Sequence, residues 1–228
     1  MEVKLLGRLR KLLEGIDAGS PGDDEQFAVS QQLEQLVAFG SAPYTEIVRL
    51  GRAFYVNTTA AVAAAVAVPT TTGGLSLYNN EPDGGRTYII DWVAASNVAS
   101  TALAAQAQML ALVGQVRETP PADSGLVDKK LNGMGGGSSD TKSRTILTGT
   151  ALPATTGLAT NWFPVGDAVI KNIPTASATT PGYGIWVPIN GRCVIPPGRY
   201  FSIQVLANVV GETFQLYIAW HERQLTLG

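Results

Sequence analysis

Two alternating runs near the C-terminal end of the sequence limit the fold more than any other feature. Phe201, Ile203 and Val205 alternate with Tyr200, Ser202 and Gln204, and Phe214, Leu216, Ile218 and Trp220 alternate with Thr213, Gln215, Tyr217 and Ala219. A period of two places each apolar set on one face of an extended strand. The reading is two amphipathic strands joined at 208–212.

Strand vocabulary begins earlier, at about Phe54, where Val, Thr, Ala, Tyr and Ile are broken by turn residues. Residues 75–78 and 86–93 flank Asn79-Asn80-Glu81-Pro82-Asp83-Gly84-Gly85, a stretch of turn formers that reads as the loop of a hairpin. In its second strand Tyr88, Ile90 and Trp92 are expected on the apolar face, with Thr87, Ile89 and Asp91 on the other. Residues 102–116 combine helix formers with a layout that also suits a buried strand, and strand is the reading taken. Further on, Trp162-Phe163-Pro164-Val165, Ile185-Trp186-Val187-Pro188-Ile189 and Cys193-Val194-Ile195-Pro196-Pro197-Gly198 are short apolar strands whose prolines suit edges and strand ends. The Pro- and Gly-rich stretch near 119–143 is expected to be a long flexible insertion, mobile or clasped by a partner. Short alternating strands, frequent turn signals and no helix between them predict a mainly β chain, an antiparallel, jelly-roll-like β-sandwich over 50–228.

The N-terminal segment, 1–49, is of a different kind, with 13 of the chain's 34 acidic and basic residues. Leu5, Leu6, Leu9, Leu12, Leu13 and Ile16 fall on one face of a short amphipathic helix, and Ser20-Pro21-Gly22 breaks it. A second helix can start at Asp23 or Asp24, carry Phe27, Leu33, Leu36 and Val37, and stop at Gly40 and Pro43. The leucine face either packs on the protein's own core or forms an arm that docks on a neighbour through Leu5, Leu9, Leu12, Leu13 and Ile16.

Charge narrows the function. Only 15% of the 228 residues are charged, against about 25% in an ordinary soluble domain, while 45% are hydrophobic and the mean hydropathy is +0.12. Much of the surface must then be neutral, and a neutral surface often faces other protein. A net charge of -2 gives little field for nucleic acid. Two uncharged stretches, 53–80 and 92–116, are long enough for membrane spans but are interrupted by Asn57, Pro69 and Gly73 in one and Ser96, Asn97, Gln106 and Gln108 in the other. The one cysteine, Cys193, and a start without signal-peptide character point to a protein made and kept in a cytoplasm.

No chemistry-bearing constellation emerges. His221 alone cannot make the histidine cluster of a metal-binding jelly roll, so no metal is expected. It reads as a surface or subunit-contact residue paired with its neighbours Glu222 and Arg223. Cys193 beside Arg192 reads as an inert packed thiol. The acidic residues are scattered, and Gly133–Gly137 lacks the Gly-Lys-Ser/Thr ending of a phosphate loop. The expectation is a non-enzymatic protein without cofactors.

The order of Tyr88-Ile89-Ile90-Asp91, Trp162-Phe163-Pro164-Val165-Gly166, the run from Val194-Ile195-Pro196-Pro197-Gly198 to Ser202-Ile203-Gln204, and Ile218-Ala219-Trp220-His221-Glu222 resembles small β-sandwich virion proteins of tailed bacteriophages. These are the cement, decoration or head-fibre proteins. The resemblance spans roughly 88–222. It implies a structural protein that assembles in the host cytoplasm, forms a homotrimer and stabilises a capsid by binding the major capsid protein or another virion protein. The alternative is a receptor- or glycan-binding adhesin module, with Tyr44, Tyr78 and Tyr183 as loop aromatics that could stack on a sugar. A capsid-forming jelly roll and a hydrolase with an unrecognised site are further alternatives.

Overall fold

The computed structural model describes residues 44–99, 104–133, 142–147, 150–152, 158–172 and 183–225. The chain divides into two units, Met1–Leu50 and Gly51–Gly228. In the first, the described part is one helical turn, α1 (Thr45–Arg49), in which the Val48 amide bonds the Tyr44 carbonyl at 3.1 Å. The leucine face of Leu5, Leu9, Leu12, Leu13 and Ile16 and the helix expected after Asp23 lie outside the described residues.

The second unit is an antiparallel β-sandwich. Its first sheet contains β1 (Ala53–Asn57), β2 (Val62–Ala63), β4 (Thr87–Ala99), β6 (Lys129–Lys130), β9 (Gly184–Pro188), β10 (Val194–Ile195) and β12 (Thr213–Arg223). The order is β10-β4-β12-β1-β6, with β9 also on β4 and β2 on β12. The second sheet runs β7 (Ser143–Leu147), β3 (Leu75–Asn79), β11 (Tyr200–Ala207), β5 (Ala104–Val113), β8 (Phe163–Asn172). Residues 102–116 thus contain a strand, as read from the sequence. Pro164 and Pro188 sit on β8 and β9, where no ladder partner is needed on the outer side.

The two alternating runs become β11 and β12, one in each sheet. Phe201, Ile203 and Val205 face Phe214, Leu216, Ile218 and Trp220 across the interior, all buried in one cluster. Trp220 stacks on Phe54 with ring centroids 5.7 Å apart and meets Tyr88 at 6.0 Å. Burial of apolar surface between the sheets is the main stabilising term.

Five expectations need correction. β3 and β4 do not form a hairpin: β3 pairs with β7 and β11, β4 with β12, β9 and β10. The connection between them crosses from sheet to sheet because buried Asn79 braces the corner. Its Nδ2 donates to the Arg86 and Ile195 carbonyls, each at 2.9 Å, and its Oδ1 accepts the Glu81 amide at 3.0 Å. Trp92 is not on the face of Tyr88 and Ile90. A register shift pairs Ala219 with Trp92 but Trp220 with Ile90, so Asp91 is an extra bulged residue and the alternation changes phase there.

The opposite face of β11 is buried as well, so β11 is not amphipathic. Ser202 bonds Ser76 at 2.7 Å, and Gln204 Nε2 donates to the Ala63 carbonyl at 3.1 Å. Tyr200, Tyr78, Leu112, Ile146 and Leu152 form a second apolar cluster there, with Trp162 packed on it. The cover comes from the path between β7 and β8, where Ala151 bridges Thr72 and the Trp162 indole N–H donates to the Pro69 carbonyl at 3.0 Å. That path also holds α2 (Leu158–Asn161), a helical turn between strands where none was expected.

Nor is 119–133 a loose insertion. It is tied to the body as a strap: the Tyr78 hydroxyl donates to the Glu118 carbonyl at 2.7 Å, and Arg144 to the Pro121 carbonyl at 2.8 Å. Asp123 accepts the Thr145 amide at 3.0 Å, Leu126 enters the core, and β6 pairs with β1. Residues 134–141 lie outside the described residues.

Truncating the centre of the main core is the direct check. Trp220→Ala is expected to lower the unfolding free energy by about 3–5 kcal/mol in urea titration. Val210→Ala, at an exposed position, is expected to change it by less than about 0.5 kcal/mol.

Candidate functional site

Charge is segregated along the sandwich. The described connections 58–74 and 208–211, with Tyr183 just ahead of β9, leave strands at the end where β4, β9, β11 and β12 bring Ala99, Gly184, Ala207 and Thr213. None of these connections contains Asp, Glu, Lys or Arg. Val66, Val68, Val98 and Val210 are exposed there, Val210 by 79%. The acid next in sequence, Glu212, is buried, where it accepts the Asn97 amide at 2.9 Å and the Tyr183 hydroxyl at 3.2 Å. The opposite end carries ion pairs: Arg86 with Glu222 at 3.0 Å, Lys142 with Glu81 at 3.8 Å, and Arg117 with Asp83.

A second uncommon surface is the outer face of the first sheet. Trp186 on β9 is 64% exposed, and Trp92, Tyr217 and Tyr55 are partly exposed on β4, β12 and β1. On the β8 and β9 side a cleft of about 630 Å³ opens between the sheets, lined by Val113, Phe163, Val165, Val187, Ile189 and Cys193.

The residues weighed from the sequence are dispersed. Tyr78 is in the second core cluster and Tyr183 packs edge-on against Phe214, so neither is a free loop aromatic. Tyr44 precedes α1. Burial pushes the Tyr183 hydroxyl up, and the adjacent Glu212 adds to it. His221 does not pair with its chain neighbours. Its Nδ1 meets the bulged Asp91 at 2.7 Å, while Glu222 points inward to Arg86. The alternation of β12 explains this, since consecutive residues face opposite sides of the sheet. Burial raises the Cys193 thiol more than Arg192 lowers it, which fits a packed, unreactive side chain. Among the described residues, no three His, Cys, Asp or Glu side chains converge as a metal site.

Sequence reasoning missed the aromatic face and the uncharged end. The bulge at Asp91 hid the first by moving Trp92 outward. The second was legible as uncharged runs, but their meeting at one end depends on strand order. Neither the protein-family models nor the curated proteins contain a match to this chain.

Asp128 on the strap gives a pH signature. It is 2% exposed, its carboxylate takes a hydrogen bond from the Ser143 hydroxyl, and its pKa is raised from 3.8 to about 7. Burial is the main cause. The Ser143 hydrogen bond opposes it, and Asp123 and Glu222 add to the rise. The folded pKa lies above the unfolded one, so between about pH 4 and pH 7 the folded state keeps a proton that the unfolded state has lost. Stability therefore falls as pH rises through that window, by on the order of 4 kcal/mol. Asp128→Asn is expected to flatten this slope, raising Tm above that of the parent protein at about pH 8 and matching it near pH 4, as read by thermal unfolding across pH.

Proposed function

We propose that the protein is a non-enzymatic structural component of a virus particle, a cement or decoration protein that associates with its own copies and with a capsid through its uncharged end. The observation that carries this reading is the segregation of charge. Among the described residues, the connections at one end, 58–74 and 208–211, consist of Ala, Val, Thr, Pro, Gly and Asn, while the other end holds the ion pairs. Water solvates charged loops readily, and interface centres are depleted of charge. A rigid sandwich with one such end is suited to seat on a larger body, and repeated weak contacts add through multivalency.

The likeness to phage virion sandwiches adds the expectation of a closed trimer. A trimer has three such ends side by side, which multiplies the contact area with the partner.

The test is the molar mass of the full chain by light scattering over a concentration series. The expected result is a closed oligomer that Val66→Glu combined with Val210→Glu converts to monomer, with Tm nearly unchanged. A parent protein that stays monomeric at every concentration would count against the reading. So would an oligomer indifferent to the two added charges.

A further inference from the structure

We propose that the outer face of the first sheet is a binding platform for a neutral, linear oligosaccharide. Its rings come from four successive strands. Trp186 and Tyr217 both lie opposite Ala94, while Trp92 and Tyr55 both lie opposite Ala219. Large and small residues thus alternate across the face, and the four rings form a zigzag with each partner one strand away. Rings sharing a row are two strand spacings apart, about 9.6 Å, close to the length of two linked pyranose units.

The chemistry of the face matches a sugar. A pyranose offers an apolar C–H face that stacks on an aromatic ring and a rim of hydroxyls that needs donors and acceptors. Amide side chains stand among the rings. Gln215 accepts the Tyr217 hydroxyl at 2.8 Å and donates to the Thr58 carbonyl at 2.8 Å. Asn57 accepts Lys129 Nζ at 3.2 Å, and that ammonium lies 5.4 Å from the centre of the Tyr55 ring. These bonds hold Tyr217 and Tyr55 in place before a ligand arrives, which lowers the ordering cost of binding.

Charge selects the class of saccharide. Lys129 is engaged with Asn57 and Tyr55, and at the border of the face Asp91 is held against His221 at 2.7 Å. Among the described residues no free cation stands between the rings for a sulfate or carboxylate, Arg223 being four residues beyond Ala219 at the far end of β12, so the platform is complementary to neutral sugars. A pleated face also lacks the deep pockets in which protein anchors seat. The platform does not depend on the uncharged end, because its residues point from the side of the sandwich.

The experiment is titration of the full chain with short linear oligomers of glucose, galactose, mannose and N-acetylglucosamine, followed by calorimetry and by the indole resonances of the tryptophans. At least one series is expected to bind, with affinity rising with length, and with the Trp186 indole signal moving. Trp186→Ala and Tyr217→Ala are each expected to weaken binding roughly tenfold. Ile170→Ala, at an exposed position on β8 of the second sheet, is expected to leave it unchanged. Failure of every neutral series to bind overturns the proposal, as does binding that Trp186→Ala leaves intact. Concentration-dependent self-association lost in Trp186→Ala would assign the face to a second copy instead and overturn it equally.

Discussion

The sandwich rests on the contact between the inner faces of β11 and β12. These strands follow one another in the chain yet enter different sheets, so the five-residue connection between them sets the two sheets face to face. Trp220 fixes the deepest part of that contact by filling the space between Phe54 and Tyr88. Interiors pack at crystal-like density, so a ring of this size determines how β1 and β4 can approach β12 on either side. The aromatic face exists because the same strands, anchored on that core, send their alternate residues outward.

Much of this was legible in the sequence, because period-two alternation survives wherever a strand has one buried face. Phe214, Leu216, Ile218 and Trp220 were assigned to the interior and are there. The misreadings share a cause, which is that pairing is nonlocal. Nothing in Asn79-Asn80-Glu81-Pro82-Asp83 says that the Asn79 side chain will reach the Ile195 carbonyl, far along the chain, and turn a hairpin into a sheet-to-sheet crossing. Nothing near Asp91 marks it as bulged until β12 is laid beside it. Tyr200, Ser202 and Gln204 look like a solvent face until Tyr200 is seen inside the second cluster, Ser202 against Ser76 and Gly73, and Gln204 against Ala63 and Gly74.

The surfaces divide the labour. The charged end is closed by its own ion pairs and by the strap, whose hydrogen bonds to β7 leave those groups largely satisfied. Among the described residues the connections of the uncharged end carry no ion pair, and Glu212, the acid nearest to them in sequence, is turned inward to Asn97 and Tyr183. The flank of the first sheet points away from both ends of the sandwich.

The position of β12 in the chain has a consequence for how the molecule is made. It lies between β1 and β4, yet it emerges from the ribosome after both, and after every other strand described. Until it arrives β1 and β4 have no neighbour to join them, and the main core lacks its largest side chain. Such an order gives many distant contacts and delays cooperative folding. Neither the uncharged end nor the aromatic face is complete before that moment, since β12 supplies Tyr217 to one and its leading edge to the other. Both surfaces therefore take shape only once synthesis has passed β12.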